Sequence, residues 1–81
     1  MKVRMIAPGG ELYSGSAESV RLPLPDGSCG IREHHEPELF LLSEGNVILK
    51  TDGEEIRFPV SGGICEVGRN EVLVLAEPAR T

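Results

Sequence analysis

Hydrophobic and polar residues alternate with a period of two along much of this chain. Val20, Leu22 and Leu24 alternate with Arg21 and Pro23; Ile56, Phe58 and Val60 alternate with Arg57 and Pro59. Successive side chains of a strand point to opposite faces, so this pattern places one face in a core and one toward solvent. Turn-forming clusters interrupt the runs at Pro8-Gly9-Gly10, Ser14-Gly15, Pro25-Asp26-Gly27, Ser43-Glu44-Gly45-Asn46, Asp52-Gly53, Ser61-Gly62-Gly63 and Gly68-Arg69-Asn70. The segments between them are roughly five to eight residues long, which suits strands and is short for helices.

The clearest local unit is NVILKTDGEEIRFPV, residues 46–60. Asp52-Gly53 between two alternating runs predicts a hairpin, because both central residues of a type I′ turn need positive φ. A second hairpin is expected at Gly68-Arg69-Asn70, joining ICEV to EVLVLAE. The latter run is apolar on both faces and reads as a central strand covered on both sides. Pro23 and Pro59 cannot donate to a ladder, so each belongs at an edge or a bulge. HEPELFLL, residues 35–42, is the one possible helix. It lacks a good cap and stops at Ser43-Glu44-Gly45, and so reads as a turn followed by a short strand. Short strands without helices predict an all-β domain, a two-sheet β-sandwich or flattened barrel.

The chain has 81 residues, enough for one domain. A chain of this size buries only roughly 60% of the surface its unfolded form exposes, so help from a partner surface is expected. Without tryptophan and with three other aromatics, its core must be built of Val, Ile and Leu. The net charge of −5, with eight basic residues scattered along the sequence, argues against nucleic acid or anionic lipid as a direct ligand. No signal-peptide pattern or apolar run of membrane-spanning length appears, which predicts a soluble cytosolic protein. There cystines are rare, so Cys65, in an apolar stretch, reads as a small core residue, and Cys29 is open to the same reading.

The stretch CGIREHHEPEL, residues 29–39, carries the most chemistry. His34, His35 and Glu36 are competent metal ligands, but adjacent residues on a strand diverge. Inward-facing metal sites on barrels alternate as His-x-His, and zinc pairs on helices are about four residues apart. No clear third or fourth ligand lies upstream, so no metal and no cofactor is expected. Cys29 lacks the surroundings of an activated nucleophile. Three glutamates on a loop read as a solvated surface. Gly9-Gly10 and Gly62-Gly63 open no helix and lack the geometry of a phosphate cradle. These residues make no enzyme. They describe a turn-rich β-module that presents a loop.

Three ordered motifs resemble the F-type ATP synthase epsilon subunit, called delta in mitochondria. APGGELYSG (7–15) is similar to its Pro-x-Gly-x-Leu-Phe-Ser-Gly opening. VRLPLPDGSCGIREHHEPEL (20–39) is similar to its Leu-Pro-Gly…Gly-Ile-Leu-Pro-Gly-His-Ala-Pro-Leu segment. VSGGICEVGRNEVLVLAE (60–77) is similar to its Val-Ser-Gly-Gly-Phe-Leu-Glu-Val…Asn-Val-Thr-Val-Leu-Ala run. The resemblance keeps register over the whole chain. It implies an N-terminal β-sandwich of about ten strands and a non-catalytic subunit of the central rotor stalk. It also implies gamma and the c-ring as partners, and a peripheral place at the cytoplasmic face of a bacterial membrane.

By the same resemblance, CGIREHHEPEL corresponds to the loop that faces the c-ring and gamma. Gly30 and Ile31 match the family's Gly-Ile, His35 its histidine and Pro37 its proline. Ser28 stands where the family often carries an acid, and Ala7 and Phe40 match positions on the gamma-facing side. The departures fall in this loop, where Arg32, Glu33, His34 and Glu36 replace mostly uncharged residues and Glu38 replaces a leucine. A carboxylate buried in an interface costs affinity unless a base faces it, so co-varied partners are expected. Members of the family commonly continue into a helical hairpin that inhibits ATP hydrolysis and in some cases binds ATP. Ending at Ala79-Arg80-Thr81, this sequence carries the expectation of a short form without that hairpin and without a nucleotide site. Two other readings stand beside this one: a small metal-binding β-barrel using His34, His35 and Glu36, and a stand-alone protein-binding β-module. A further expectation is an apolar patch around Phe40 and Leu42, exposed in the isolated domain.

Overall fold

The computed structural model describes residues 1–32 and 36–79. Among them are eight strands and no helix. β1 (Lys2–Ala7) and β2 (Gly10–Ser16) form one hairpin, β3 (Ser19–Leu24) and β4 (Gly27–Arg32) a second. β5 (Glu38–Leu42) is short. β6 (Gly45–Thr51), β7 (Glu54–Val67) and β8 (Glu71–Pro78) follow as a meander. The hydrogen-bonded order is β2-β1-β8-β7-β6-β3-β4, with β5 added to β7.

The fourteen-residue β7 turns this path into two layers. Its first half, Glu54–Val60, pairs with β6, which carries β3 and then β4. Its second half lies between β5 and β8, and β8 pairs in parallel with β1. A register shift between Val60 and Gly62 marks the bend. β2 and β4 remain unjoined ends, so the molecule is an open sandwich and not a closed barrel.

The core lies between the layers and is aliphatic. Val3, Met5, Val20, Leu22, Ile31, Val47, Leu49, Val60, Cys65 and Val74 are fully buried. No described polar or charged residue is buried, so this core contains no polar group needing a partner. Tyr13 on β2 meets Phe58 on β7 edge-on, with ring centroids 6.1 Å apart, and so links the two layers along one side.

Most expected turns are in place. Asp52 and Gly53 have φ of 51° and 78°, as the type I′ hairpin requires. The hairpin at residues 68–70 joins β7 to β8. Pro23 lies beyond the reach of β6, which pairs only with Ser19–Arg21, and Pro59 immediately precedes the bulge. Residues 38–42 are a strand. Two turn assignments fail. Ser14-Gly15 lies inside β2, and Ser61-Gly62-Gly63 lies inside β7 at its bulge. A glycine pair that bends a strand resembles one that ends it. The described residues form eight strands, fewer than the about ten that the resemblance implies.

Candidate docking face

β8 is central, as its apolar run predicts, but only one side of it is covered. Val72, Val74 and Ala76 point into the core, while Leu75 is 47% exposed on the outer surface. The strand registers extend this exposure into a row. Leu41 pairs with Ile64, Ile64 with Leu75, and Leu75 with Ile6, crossing β5, β7, β8 and β1 in order. A second row, two residues away along the strands, reads Leu39, Glu66, Leu73 and Arg4. Leu41 and Leu39 are the most exposed large apolar side chains described, at 68% and 62%. Aligned side chains on a strand pair lie within about 5 Å of each other, so the first row is a continuous apolar strip, which Leu39 and Leu73 widen between the charged Glu66 and Arg4.

Beside the first row is a shallow depression of about 380 Å³, lined by Ile6, Ala7, Pro8, Gly63, Ile64 and Leu75 with Ala76 and Glu77. Gly63 is fixed by its backbone. Its φ is +139°, and a Cβ there would collide with the Leu75 carbonyl oxygen. The rim carries Glu66, Glu71 and Glu77, with Lys2 and with Arg4 held by Glu11 at 3.2 Å. An apolar centre within a charged rim is the composition of a protein-docking surface.

The residues expected from sequence to meet partners do not form one cluster. Ala7 is largely buried on β1, yet it lines the depression. Phe40 pairs with Cys65 and is half-buried against the core, and Leu42 is buried. The expected patch around Phe40 and Leu42 therefore lies on the opposite side of β5, on Leu39 and Leu41. Ile31 is fully buried, so it anchors β4 and cannot present a side chain to a partner. Ser28 accepts a 3.3 Å hydrogen bond from Arg21 at the start of β4. Gly30 is exposed in mid-strand, and Arg32 ends the strand, about 13 Å from Ser28 at 3.3 Å per residue. Glu36 and Pro37 are exposed where the chain enters β5, next to Leu39. Glu33, His34 and His35 lie outside the described residues.

Among the described residues no group of three His, Cys, Asp or Glu side chains is placed to hold a metal ion. Cys65 is buried between the layers, and desolvation, with a smaller contribution from Cys29, pushes its thiol up to about 12. Both cysteines are free and Cys29 is half-buried. Buried and with its thiol raised, Cys65 is a packing group. The apolar row was partly legible in EVLVLAE, whose two apolar faces imply two covers. The structure supplies only one of them.

Comparison with known proteins agrees with this architecture. The epsilon chain 1 of ATP synthase from Methylococcus capsulatus is 41% identical over 80 residues, covering 98% of this chain and 57% of that one. The ATP synthase epsilon chain of Frankia casuarinae is 37% identical over 81 residues, covering 99% of this chain and 95% of that one. This chain thus spans little more than half of the first relative and nearly all of the second. A chain in the cryo-EM structure of the Tetrahymena thermophila mitochondrial ATP synthase central stalk and c-ring superposes with a TM-score of 0.81 at 18% identity. The superposition covers 95% of this chain and 63% of that one, a likeness of fold. Residues 1–81 match, end to end, the family described as ATP synthase, Delta/Epsilon chain, beta-sandwich domain, and the chain belongs to that family.

Proposed function

We propose that this chain acts as a non-catalytic coupling component of an ATP synthase rotor, joining gamma to the c-ring. In this reading the apolar face of β5, β7, β8 and β1 receives gamma. The charged segment from Arg32 to Glu38 meets the polar loops of the c-ring at one end of the sandwich. The observation that carries the reading is the row Leu41–Ile64–Leu75–Ile6, an uncovered apolar strip across four strands of a small domain. Such a strip is costly in water and is explained by a permanent protein cover. Membership of the ATP synthase delta/epsilon family supports gamma as that cover. The protein would then be held peripherally, through the complex, at the cytoplasmic face of a bacterial membrane. The departures at Glu36 and Glu38 require a basic residue on the partner opposite one of them.

The test is affinity capture of the tagged protein from detergent-solubilised membranes of its own organism, with partners identified by mass spectrometry. Gamma, alpha and beta subunits are expected with the unaltered chain and absent with Leu41→Lys/Leu75→Lys. Charge reversal at Glu36 or Glu38 is expected to reduce c-ring recovery. Absence of all synthase subunits, from membranes that contain an intact synthase, would overturn the rotor reading.

A further inference from the structure

The other broad face of the sandwich has an opposite character. On the outer side of β4, β3, β6 and the first half of β7, one row reads Arg32, Ser19, Lys50, Glu55 and the next Gly30, Arg21, Ile48, Arg57. Four of the eight basic residues of an acidic chain are thereby gathered on one face, with Glu55 as the one acid in these two rows. Arg57 contacts Glu55 at 3.3 Å, and Arg21 donates to the Ser28 hydroxyl. Arg32 and Lys50 flank Ser19 around a shallow depression of about 180 Å³, with Glu18 at its rim. Among the described residues neither Arg32 nor Lys50 has a carboxylate partner, in a chain with thirteen acids.

We propose that this face binds an acidic polypeptide segment, distinct from the partner of the apolar face, that lies extended along β4. Three features select that occupant. Among the described residues β4 pairs only with β3, and its outer edge there offers backbone groups for an added strand. Gly30 leaves the outer surface open between Ser28 and Arg32, and a Cβ built there meets nothing within 4 Å. The two basic rows are two residues apart, about 7 Å, which matches the spacing of alternate side chains on an extended peptide. Carboxylates at every second position would fall beside Arg32 and, across the open surface at Gly30, toward Arg21, whose side chain already reaches over β4 to Ser28. Nucleic acid and anionic bilayers match less well. No aromatic side chain stands in the two rows to stack a base, and a bilayer surface cannot pair with the edge of β4.

The experiment titrates the ¹⁵N-labelled chain at low salt with a short synthetic peptide alternating glutamate and threonine. Controls are a peptide of the same composition with contiguous glutamates, phosphatidylglycerol vesicles and an oligothymidylate. The alternating peptide is expected to bind best and to shift the backbone amides of β4. Arg21→Gln/Arg32→Gln, at exposed positions, is expected to weaken it about fivefold while leaving the fold intact. Failure of every probe to bind, preference for the contiguous peptide, the vesicles or the oligonucleotide, or unchanged affinity in the double variant would overturn the proposal. Arg32 belongs to both readings, but none of these results bears on the apolar face, so gamma capture tests the rotor reading separately.

Discussion

Gly63 and Cys65 lie two residues apart on β7 and show how narrowly single positions are specified. Gly63 combines positive φ with backbone contact to Leu75 and Ala76 across the strand pair. Gly63→Ala must therefore move two backbones apart, and a loss of on the order of 3 kcal/mol is expected, read as a lower urea midpoint. A change below about 0.5 kcal/mol would show that the bulge relaxes freely. For Cys65 the folded pKa of about 12 exceeds the unfolded value of 9.0. Below pH 9 both states hold the proton and pH has no effect through this group. Above pH 9 the unfolded chain releases it first, so stability falls as pH rises from 9 toward 12. Urea titrations across that range should show the decline, and Cys65→Ala should remove the part of it that Cys65 causes.

At the scale of elements, β5 shows what the sequence resolves and what it leaves open. ELFLL states that a short apolar strand follows the loop, but every second position is apolar and so is the next. Period two then assigns no inner face, and a shift of one residue exchanges the faces completely. The structure resolves the choice through pairing: Phe40 sits opposite Cys65 and Leu42 opposite Gly63, both facing inward. Leu42→Ala is expected to cost about 2–3 kcal/mol, whereas Leu41→Ala should remain within about 0.5 kcal/mol. Equal losses would mean that β5 is paired in another register. β6 and the first half of β7 were legible for the opposite reason. In β7, Ile56, Phe58 and Val60 alternate with Arg57 and Pro59, and Asp52-Gly53 fixes the turn that pairs β6 to it. The bend at Ser61-Gly62-Gly63 and the parallel pairing of β1 with β8 depend on contacts distant in sequence, which local pattern does not encode. The docking face was hidden similarly. Its residues come from four strands and become neighbours only through register, while the loop at residues 29–39 drew attention because its chemistry is contiguous.

At the scale of the whole molecule, the two broad faces make different predictions about salt. The face of Leu39, Leu41, Ile64 and Leu75 excludes water from apolar surface, an effect that salt screening does not weaken. The isolated chain is accordingly expected to self-associate weakly at high concentration through this face. The weight-average mass in sedimentation equilibrium should rise toward that of a dimer and be unchanged or higher when salt is raised from low to physiological ionic strength. Leu41→Lys/Leu75→Lys should hold the chain monomeric with little change in stability, because both side chains are largely exposed before substitution. A salt-sensitive association would place it instead between the basic face of one copy and the acidic rim of another. Gamma binding should follow the apolar pattern and persist in salt, while contact through Glu36 and Glu38 with a basic partner should weaken over the same range. A complex that keeps gamma and loses the c-ring as salt rises would assign each surface to its partner. Loss of gamma first would reverse that assignment.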